Sequence, residues 1–322
     1  MVQSGRISLH SLQKLYLPTG LLAALFCALQ LPAPGIFLAG HHGVQLFIFI
    51  IFLVSGYQTD NRGIRLNKKL LQLFTVAALI SLVLGPLLGV ILVQLLHLTP
   101  AIAAGLIIIS TMPPTISSGI VITVISGGNA LLALFLTISL NLLAILTIPF
   151  TLSLCLQAAG QITVDRKALI LTMVILVLLP FLLGRTLRKI NKTKSASRIW
   201  NSINSSCVIL VVYASLAMTA ETLGRMGWEE YVLIAALAVF IHLFLFGASF
   251  LSGITLRLTN SDNKALCFVT SQKTLSMALA VIAGISIDTG SAIIVCLIFH
   301  FLQIFTDSFF AAKWQSRTTT SS

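Results

Sequence analysis

The sequence predicts an all-α membrane protein of ten transmembrane helices, built as two inverted five-helix repeats, with the fourth and ninth helices discontinuous. Three observations carry that prediction: the composition, the recurrence of long apolar runs, and the placement of the basic residues. Of the 322 residues, 57% are apolar and 9% charged, where a soluble domain carries roughly a quarter charged. That is too little polar material to wet a globule, which excludes soluble-enzyme, disordered and collagen-like classes. Lys and Arg number 20 against 8 Asp and Glu, a net charge of +12. No segment is long enough to be a solvated basic domain, so no nucleic-acid partner is expected and the positive charge serves topology. Cys27, Cys155, Cys207, Cys267 and Cys296 are odd in number, scattered, and inside or beside apolar runs, which argues against a disulfide framework or a Cys-based metal site.

A helix that crosses the hydrocarbon core needs about 20 mostly apolar residues. Runs of that kind extend approximately over 15–38, 44–57, 70–96, 101–127, 129–157, 168–187, 202–222, 229–256, 263–286 and 288–312, the second being short. An even number places both termini on one side. Loops that stay in the cytoplasm are enriched in Lys and Arg, and with both termini inside, the internal segments hold 16 basic residues: Arg6, Lys14, Arg62, Arg65, Lys68, Lys69, Arg185, Arg188, Lys189, Lys192, Lys194, Arg198, Arg257, Lys264, Lys313 and Arg317. External loops hold only Arg166, Lys167 and Arg225. The asymmetry predicts a multi-pass protein with cytoplasmic termini. No small-x-small pattern follows the basic, apolar start, and removing that start would break the even count, so no cleaved signal is expected.

Sliding the chain on itself by about 159 residues brings the second span onto the seventh, the third onto the eighth and the fifth onto the tenth. Five crossings per half is an odd number, so the second copy enters from the opposite face, as in the inverted repeats of secondary transporters. The same offset carries Pro114 onto Lys273. In the fourth span the apolar run is interrupted by Thr111-Met-Pro-Pro-Thr-Ile-Ser-Ser-Gly119. There Pro113 and Pro114 remove two backbone donors and push the preceding residues away from helical angles. In the ninth it is interrupted by Thr270-Ser-Gln-Lys-Thr-Leu-Ser276, the most polar septet in any span. Irregular backbone at membrane depth is tolerated only where it is buried or lines a cavity, and matched interruptions in two halves point to a transport site.

The candidate substrate- and ion-binding residues are therefore Thr115, Ser117, Ser118 and Thr123 after the double proline, Asn129 and Thr137 on the fifth span, and Ser271, Gln272, Lys273 and Thr274 in the ninth. One membrane hydroxyl alone is explained by a bond to its own preceding turn or to a neighbouring helix; a cluster beside two prolines is not. Lys273 is the most informative. A cation at a helix centre costs roughly 2.5 to 3.5 kcal/mol and ordinarily faces a cavity or a partner, and with about ten residues to either end of its span it is too deep to snorkel. Glu221 and Asp307 lie near the ends of their spans and Asp288 at a boundary, so Lys273 is expected to meet an anionic substrate or to give up its proton. His242 and His300, mid-span, read as hydrogen-bonded packing residues rather than proton relays, and His41-His42 as solvated loop residues without metal spacing.

Neither an H-E-x-x-H nor a G-x-S-x-G pattern is present, and no pair of acids sits deep in two spans, so no enzyme is predicted. A membrane regulator without transport activity is the alternative from another class; its recognition domain would have to fit in tails of about 14 and 10 residues.

The sequences M-P-P-T-I-S-S-G at 112–119, G-G-N at 127–129 and S-Q-K-T-L-S at 271–276, set in ten spans, resemble the bile acid:sodium symporter family over nearly the whole chain. Their pairing looks like its cotransporter-7-like branch, which has bacterial members. That resemblance implies one transporter unit over 1–322 in which the broken fourth and ninth helices cross. A core domain (approximately 70–157 and 229–312) would move against a panel domain (approximately 15–57 and 168–222). It also implies a small organic anion as substrate and residence in a bacterial inner membrane. In sodium-coupled members one ion is held by a Ser-Asn pair, hydroxyls of the fifth helix and a Glu of the ninth; the matching positions here are Ser117, Ser118, Ala133, Thr137 and Phe268, so the carboxylate is missing. A second ion uses Gln side chains of the third and ninth helices plus that Glu; here Ser81 and Gln272 stand there, followed by Lys273 in place of an Asn. No cofactor is implied, sodium is left open, and a fixed ammonium would supply the same sign of charge. Transport is expected to be sodium-independent or proton-linked, with a sodium-coupled bile-acid or organic-anion symporter as the alternative.

Overall fold

Uncharged runs of Leu, Ile, Val and Phe satisfy their backbone groups in lipid by winding into helices, and all regular structure among the described residues is helical. The computed structural model describes residues 9–59, 67–115, 118–160, 165–190, 197–220, 224, 226–285 and 290–319. Arg6, Arg62, Arg65, Ser117, Lys192, Lys194, Glu221, Arg225 and Asp288, singled out above, lie outside the described residues. In chain order the helices are α1 (Leu9–Gln30), α2 (Pro32–Gly40), α3 (Gly43–Gln58), α4 (Lys68–Ala78), a π-helical turn (Leu79–Leu84), α5 (Gly85–Leu96), α6 (Pro100–Thr111), α7 (Ser118–Ile125) and α8 (Ala130–Ala158). Then follow α9 (Arg166–Met173), a second π-helical turn (Val174–Leu178), α10 (Leu179–Ile190), α11 (Ser197–Ala217), α12 (Trp228–Thr255), α13 (Asn260–Ser271), α14 (Leu275–Ala283) and α15 (Gly290–Thr319).

Seven helices among the described residues are long and apolar enough to cross a membrane. The first expected span, 15–38, is not one straight helix: Leu31 precedes Pro32 and takes φ −135°, ψ 67°, and the axis turns by 99° there. The proline supplies no N–H to continue the helix, and its ring drives the preceding residue out of the helical region. Gly43–Gln58 and Pro100–Thr111 are shorter apolar helices. A second departure lies at the other end of the chain, where the tenth span, expected to close at 312, continues as helix to Thr319.

The chain divides into two compact units. The first comprises Met1–Gln58 and Ile175–Gly224. In it α3 packs on α10 and α11, while α1 and α2 pack on α11. The α3 and α10 backbones approach through small residues: a Cβ on Gly56 would overlap the Phe181 carbonyl, and one on Gly184 the Leu53 carbonyl. The second unit comprises Thr59–Val174 and Arg225–Ser322, with α13 packed against α12, α7 and α8, and α15 against α6 and α12. In the ninth span, α13 with α14, 94% of the apolar 18-residue stretch is buried, against 33% to 56% of the corresponding stretches in the other long spans. Protein rather than lipid surrounds it, the condition under which polar and irregular backbone is tolerated.

Candidate functional site

Within the second unit, α6 stops where its donors stop. Met112 is extended (φ −70°, ψ 150°), Pro113 and Pro114 have no N–H, and the helix resumes as α7 at Ser118. The carbonyls released there find other donors. Met112 O accepts from Lys273 Nζ at 3.0 Å, Pro113 O from the Thr274 backbone N–H at 2.9 Å, and Pro114 O from Asn141 Nδ2 at 2.9 Å. Helix α13 stops at Ser271 without any proline; Gln272 (φ −73°, ψ 151°) and Thr274 (φ −85°, ψ 122°) are extended. This second break is held open from outside. Gln303 on α15 accepts the Lys273 N–H on Oε1 at 2.7 Å and donates from Nε2 to the Lys273 carbonyl at 2.8 Å. One side-chain amide thus replaces both helical partners of Lys273, and the two interruptions meet directly through the Thr274–Pro113 bond.

Lys273 is fully buried. Its Nζ donates to Ser81 O at 2.6 Å, to Met112 O at 3.0 Å and, more weakly, to Ser81 Oγ at 3.4 Å. Three acceptors surround the amine and, among the described residues, no acid does. The Ser81 carbonyl is free for a local reason. In the π-helical turn Gly85 N–H bonds to Ile80 O, five residues back; the next donor in that register would come from residue 86, which is a proline. Gly85 also makes the room, because a Cβ there would lie 2.9 Å from Lys273 Nζ and 2.9 Å from Ser110 O. The Lys273 amine is thus seated on two backbone carbonyls and, more weakly, on a serine hydroxyl.

Gln272 links the breaks to a second polar group. Its Oε1 accepts from Thr115 Oγ1 and from Ser118 Oγ, the latter at 2.8 Å. Its Nε2 donates to Asp307 Oδ2 at 2.6 Å, and Asp307 Oδ1 meets His242 Nε2 at 2.9 Å. Asp307 is fully buried, enclosed by His242 and Gln272, and α15 runs a further three turns past it. Its closeness to the end of the apolar run hides that depth in the sequence, where the polar Gln303, His300 and Asp307 on one otherwise apolar helix are the available signal.

Of the remaining candidates, Thr137 is buried and its Oγ1 has no partner, as is true of the neighbouring Asn141 Oδ1. Thr123 and Ser271 instead bond their own preceding turns, to Gly119 O and Cys267 O. Asn129 caps α8 through the Leu132 N–H and donates to Asp262 Oδ1, at the end of α8 away from the breaks. Lys264, counted above with a loop, lies in α13 with its Nζ on Ser126 O at 2.6 Å and is buried. The structure therefore gathers Thr115, Ser118, Gln272, Lys273 and Thr274 at the breaks, and leaves Thr123, Asn129 and the Ser271 hydroxyl in local bonds. Asn141, Gln303, His242 and Asp307 join the group from outside the sequence-based set. Among the described residues no cluster of His, Cys, Asp and Glu could hold a metal ion.

A multi-pass helical membrane protein with two interrupted helices joined at a buried polar centre has the build of a carrier for small molecules. The comparisons agree: the chain belongs to the SBF-like CPA transporter family, a bile acid:sodium symporter family, whose model it matches over residues 16–316. It is a membrane transporter with a small-molecule substrate, not an enzyme. Among curated proteins it is 28% identical over 320 residues to "Probable sodium/metabolite cotransporter BASS4, chloroplastic" of Arabidopsis thaliana, covering 94% of this chain and 73% of the relative. The protein of the same description from Oryza sativa subsp. indica is 27% identical over 322 residues, covering 94% of this chain and 76% of the relative.

Proposed function

We propose that this protein is a secondary active transporter of a small organic anion, working by alternating access and sodium-independent or proton-linked. The observation that carries the reading is the Lys273 ammonium, seated on Ser81 O, Ser81 Oγ and Met112 O. A positive charge is already fixed among oxygens of the kind that would bind a monovalent cation, and a second cation there would meet like-charge repulsion at short range. The positions matched to sodium ligands do not fit the ion: Ala133 and Phe268 carry no side-chain oxygen, and Gln272 Oε1 is taken by two hydroxyls. Cargo of negative charge is favoured by that ammonium and by the N-termini of α7 and α14, both of which open at the breaks. Thr137 Oγ1 offers a buried hydroxyl donor with no protein acceptor. Thr115, Ser118, Gln272, Lys273 and Thr274 would form the site together with Thr137 and Asn141.

The remainder of the proposal is architectural: ten crossings in two inverted repeats, core and panel domains, both termini cytoplasmic, and a bacterial inner membrane. A sodium-coupled mechanism is the competing reading, favoured by the word "sodium" in the relatives' descriptions. A thermal-shift screen of the purified protein against acetate, benzoate, benzenesulfonate and cholate, in sodium chloride and in choline chloride, separates the two. One of these anions should stabilise the wild type equally in both salts, by about 2.7 kcal/mol at 100-fold its dissociation constant, and should not stabilise a folded Lys273→Ala variant. An affinity more than about tenfold higher in sodium refutes sodium independence.

A further inference from the structure

The transport reading uses Lys273 and the open helix ends but leaves unexplained why a buried carboxylate faces a buried imidazole beside them. We propose that His242 and Asp307 form one proton-binding site, and that the proton held there is the coupling ion. The role in coupling rests on the transporter reading above; the proton site itself does not.

His242 Nδ1 lies 3.2 Å from Ser271 O, and a carbonyl only accepts, so Nδ1 carries hydrogen. Asp307 Oδ2 accepts from the Gln272 amide. Between His242 Nε2 and Asp307 Oδ1, 2.9 Å apart, there must then be one proton, whether it belongs to imidazolium or to carboxylic acid. Without it the imidazole keeps one hydrogen for two acceptors. The pair is therefore neutral with its proton and carries −1 without it, and proton release costs His242 either its bond to Asp307 on α15 or its bond to the Ser271 carbonyl.

Few other charges or titratable groups face it. From the ninth span come Cys267 on α13, in the buried cluster with Phe246, and Lys273 just past the end of α13, held on carbonyls. His300 is two turns away on α15, bonded to Gln303. Helices α6, α7 and α14, and the π-helical turn at Leu79–Leu84, carry no titratable side chain; the acids of α12, Glu229 and Glu230, stand at its far end. On one side the pair is walled by aromatics, with Phe246 6.4 Å from the His242 ring and stacked on Phe310 at 4.9 Å. The polar side is Gln272, Thr115 and Ser118 at the helix breaks.

With Lys273 charged, the empty and deprotonated centre sums to zero. The centre holding one proton and one monovalent anion also sums to zero. Each half-loaded form leaves one net charge in a poorly solvated interior, which is costly. That difference couples the two ligands one to one, and anion binding weakens as pH rises through the titration of the pair.

The test is infrared difference spectroscopy of the purified protein, without cargo, titrated across about pH 5 to 9. The wild type should show one carboxyl or imidazole transition that is lost in Asp307→Asn and in His242→Gln. The carboxyl or carboxylate bands that change in that transition should shift in wild-type protein labelled with carboxyl-13C aspartate, which marks only Asp60, Asp165, Asp262, Asp288 and Asp307 and guards against misfolded variants. No transition in the wild type, or one that survives Asp307→Asn, overturns the proposal. Failure of the anion screen would count against the cargo reading and leave this titration intact.

Discussion

Replacing Gln303 by Leu removes the side chain that substitutes for helical hydrogen bonding at the ninth-span break. Its amide satisfies the Lys273 N–H and the Lys273 carbonyl, at 2.7 and 2.8 Å, and donates a further bond to His300 Nδ1 at 3.1 Å. Gln303 and Lys273 are both buried, so neither orphaned backbone group can turn to water. Each buried group left without a partner costs about 1 to 3 kcal/mol, and two give a loss of roughly 2 to 6 kcal/mol by the same figures. Gln94→Leu is the matched control: Gln94 is exposed and bonds Ala158 O at 2.7 Å, and its loss should stay within about 0.5 kcal/mol. Thermal unfolding of the purified variants measures both. Gln303→Glu adds a chemical check, because it keeps the acceptor for the Lys273 N–H and removes both donors. If Gln303→Leu unfolds with the wild type, the idea that α15 holds the break open is wrong.

Three further outcomes follow from the same geometry. Gly85→Ala should destabilise by about 1 to 3 kcal/mol, the usual cost of overpacking, because the new methyl meets both Lys273 Nζ and Ser110 O; a neutral result in thermal unfolding would mean that the ammonium is not seated there. Asn129→Ala should cost about 1 kcal/mol through the lost cap of α8, measured the same way, with the anion response unchanged. Pro86→Ala gives residue 86 an N–H and the Ser81 carbonyl an intrahelical partner in competition with Lys273. It should therefore raise the unfolding temperature while weakening anion-dependent stabilisation, and a parallel fall in both would contradict the assignment.

The legibility of this chain differs between its two breaks, and the reason is physical. The fourth-span break is written locally: Pro113 and Pro114 cannot donate, so any reader of the sequence can place it. Nothing in Ser271-Gln272-Lys273-Thr274 forbids a helix. There the polar septet signalled an unusual environment, but the opening depends on Gln303, about 30 residues away and on another helix. The depth of Asp307 was misread for a related reason. Apolar content fades after 312, yet the backbone stays helical to Thr319, since Trp314 packs with Phe246, Phe250 and Phe268 and aromatic packing extends the helix beyond its apolar run. The bend at Leu31 was written as plainly as the fourth-span break, in Pro32, but hydropathy alone smooths over it.

The tolerance of a lysine with no acid at the centre of the protein follows from the same distinction between local and distant causes. An ammonium is acceptable in a poorly solvated site only if each N–H finds an oxygen that nothing else claims. Helices rarely offer such oxygens, because nearly all of their carbonyls are bonded within the helix. Here proline frees both main acceptors, at Met112 through Pro113 and Pro114 and at Ser81 through Pro86, while Gly85 leaves the volume for the amine. Three helical interruptions are thereby tied to one side chain: the π-helical turn of the third span and the breaks of the fourth and ninth. A motion that opens any of them must strip an oxygen from Lys273, and the anionic cargo proposed above would be suited to release the centre because it could replace that oxygen.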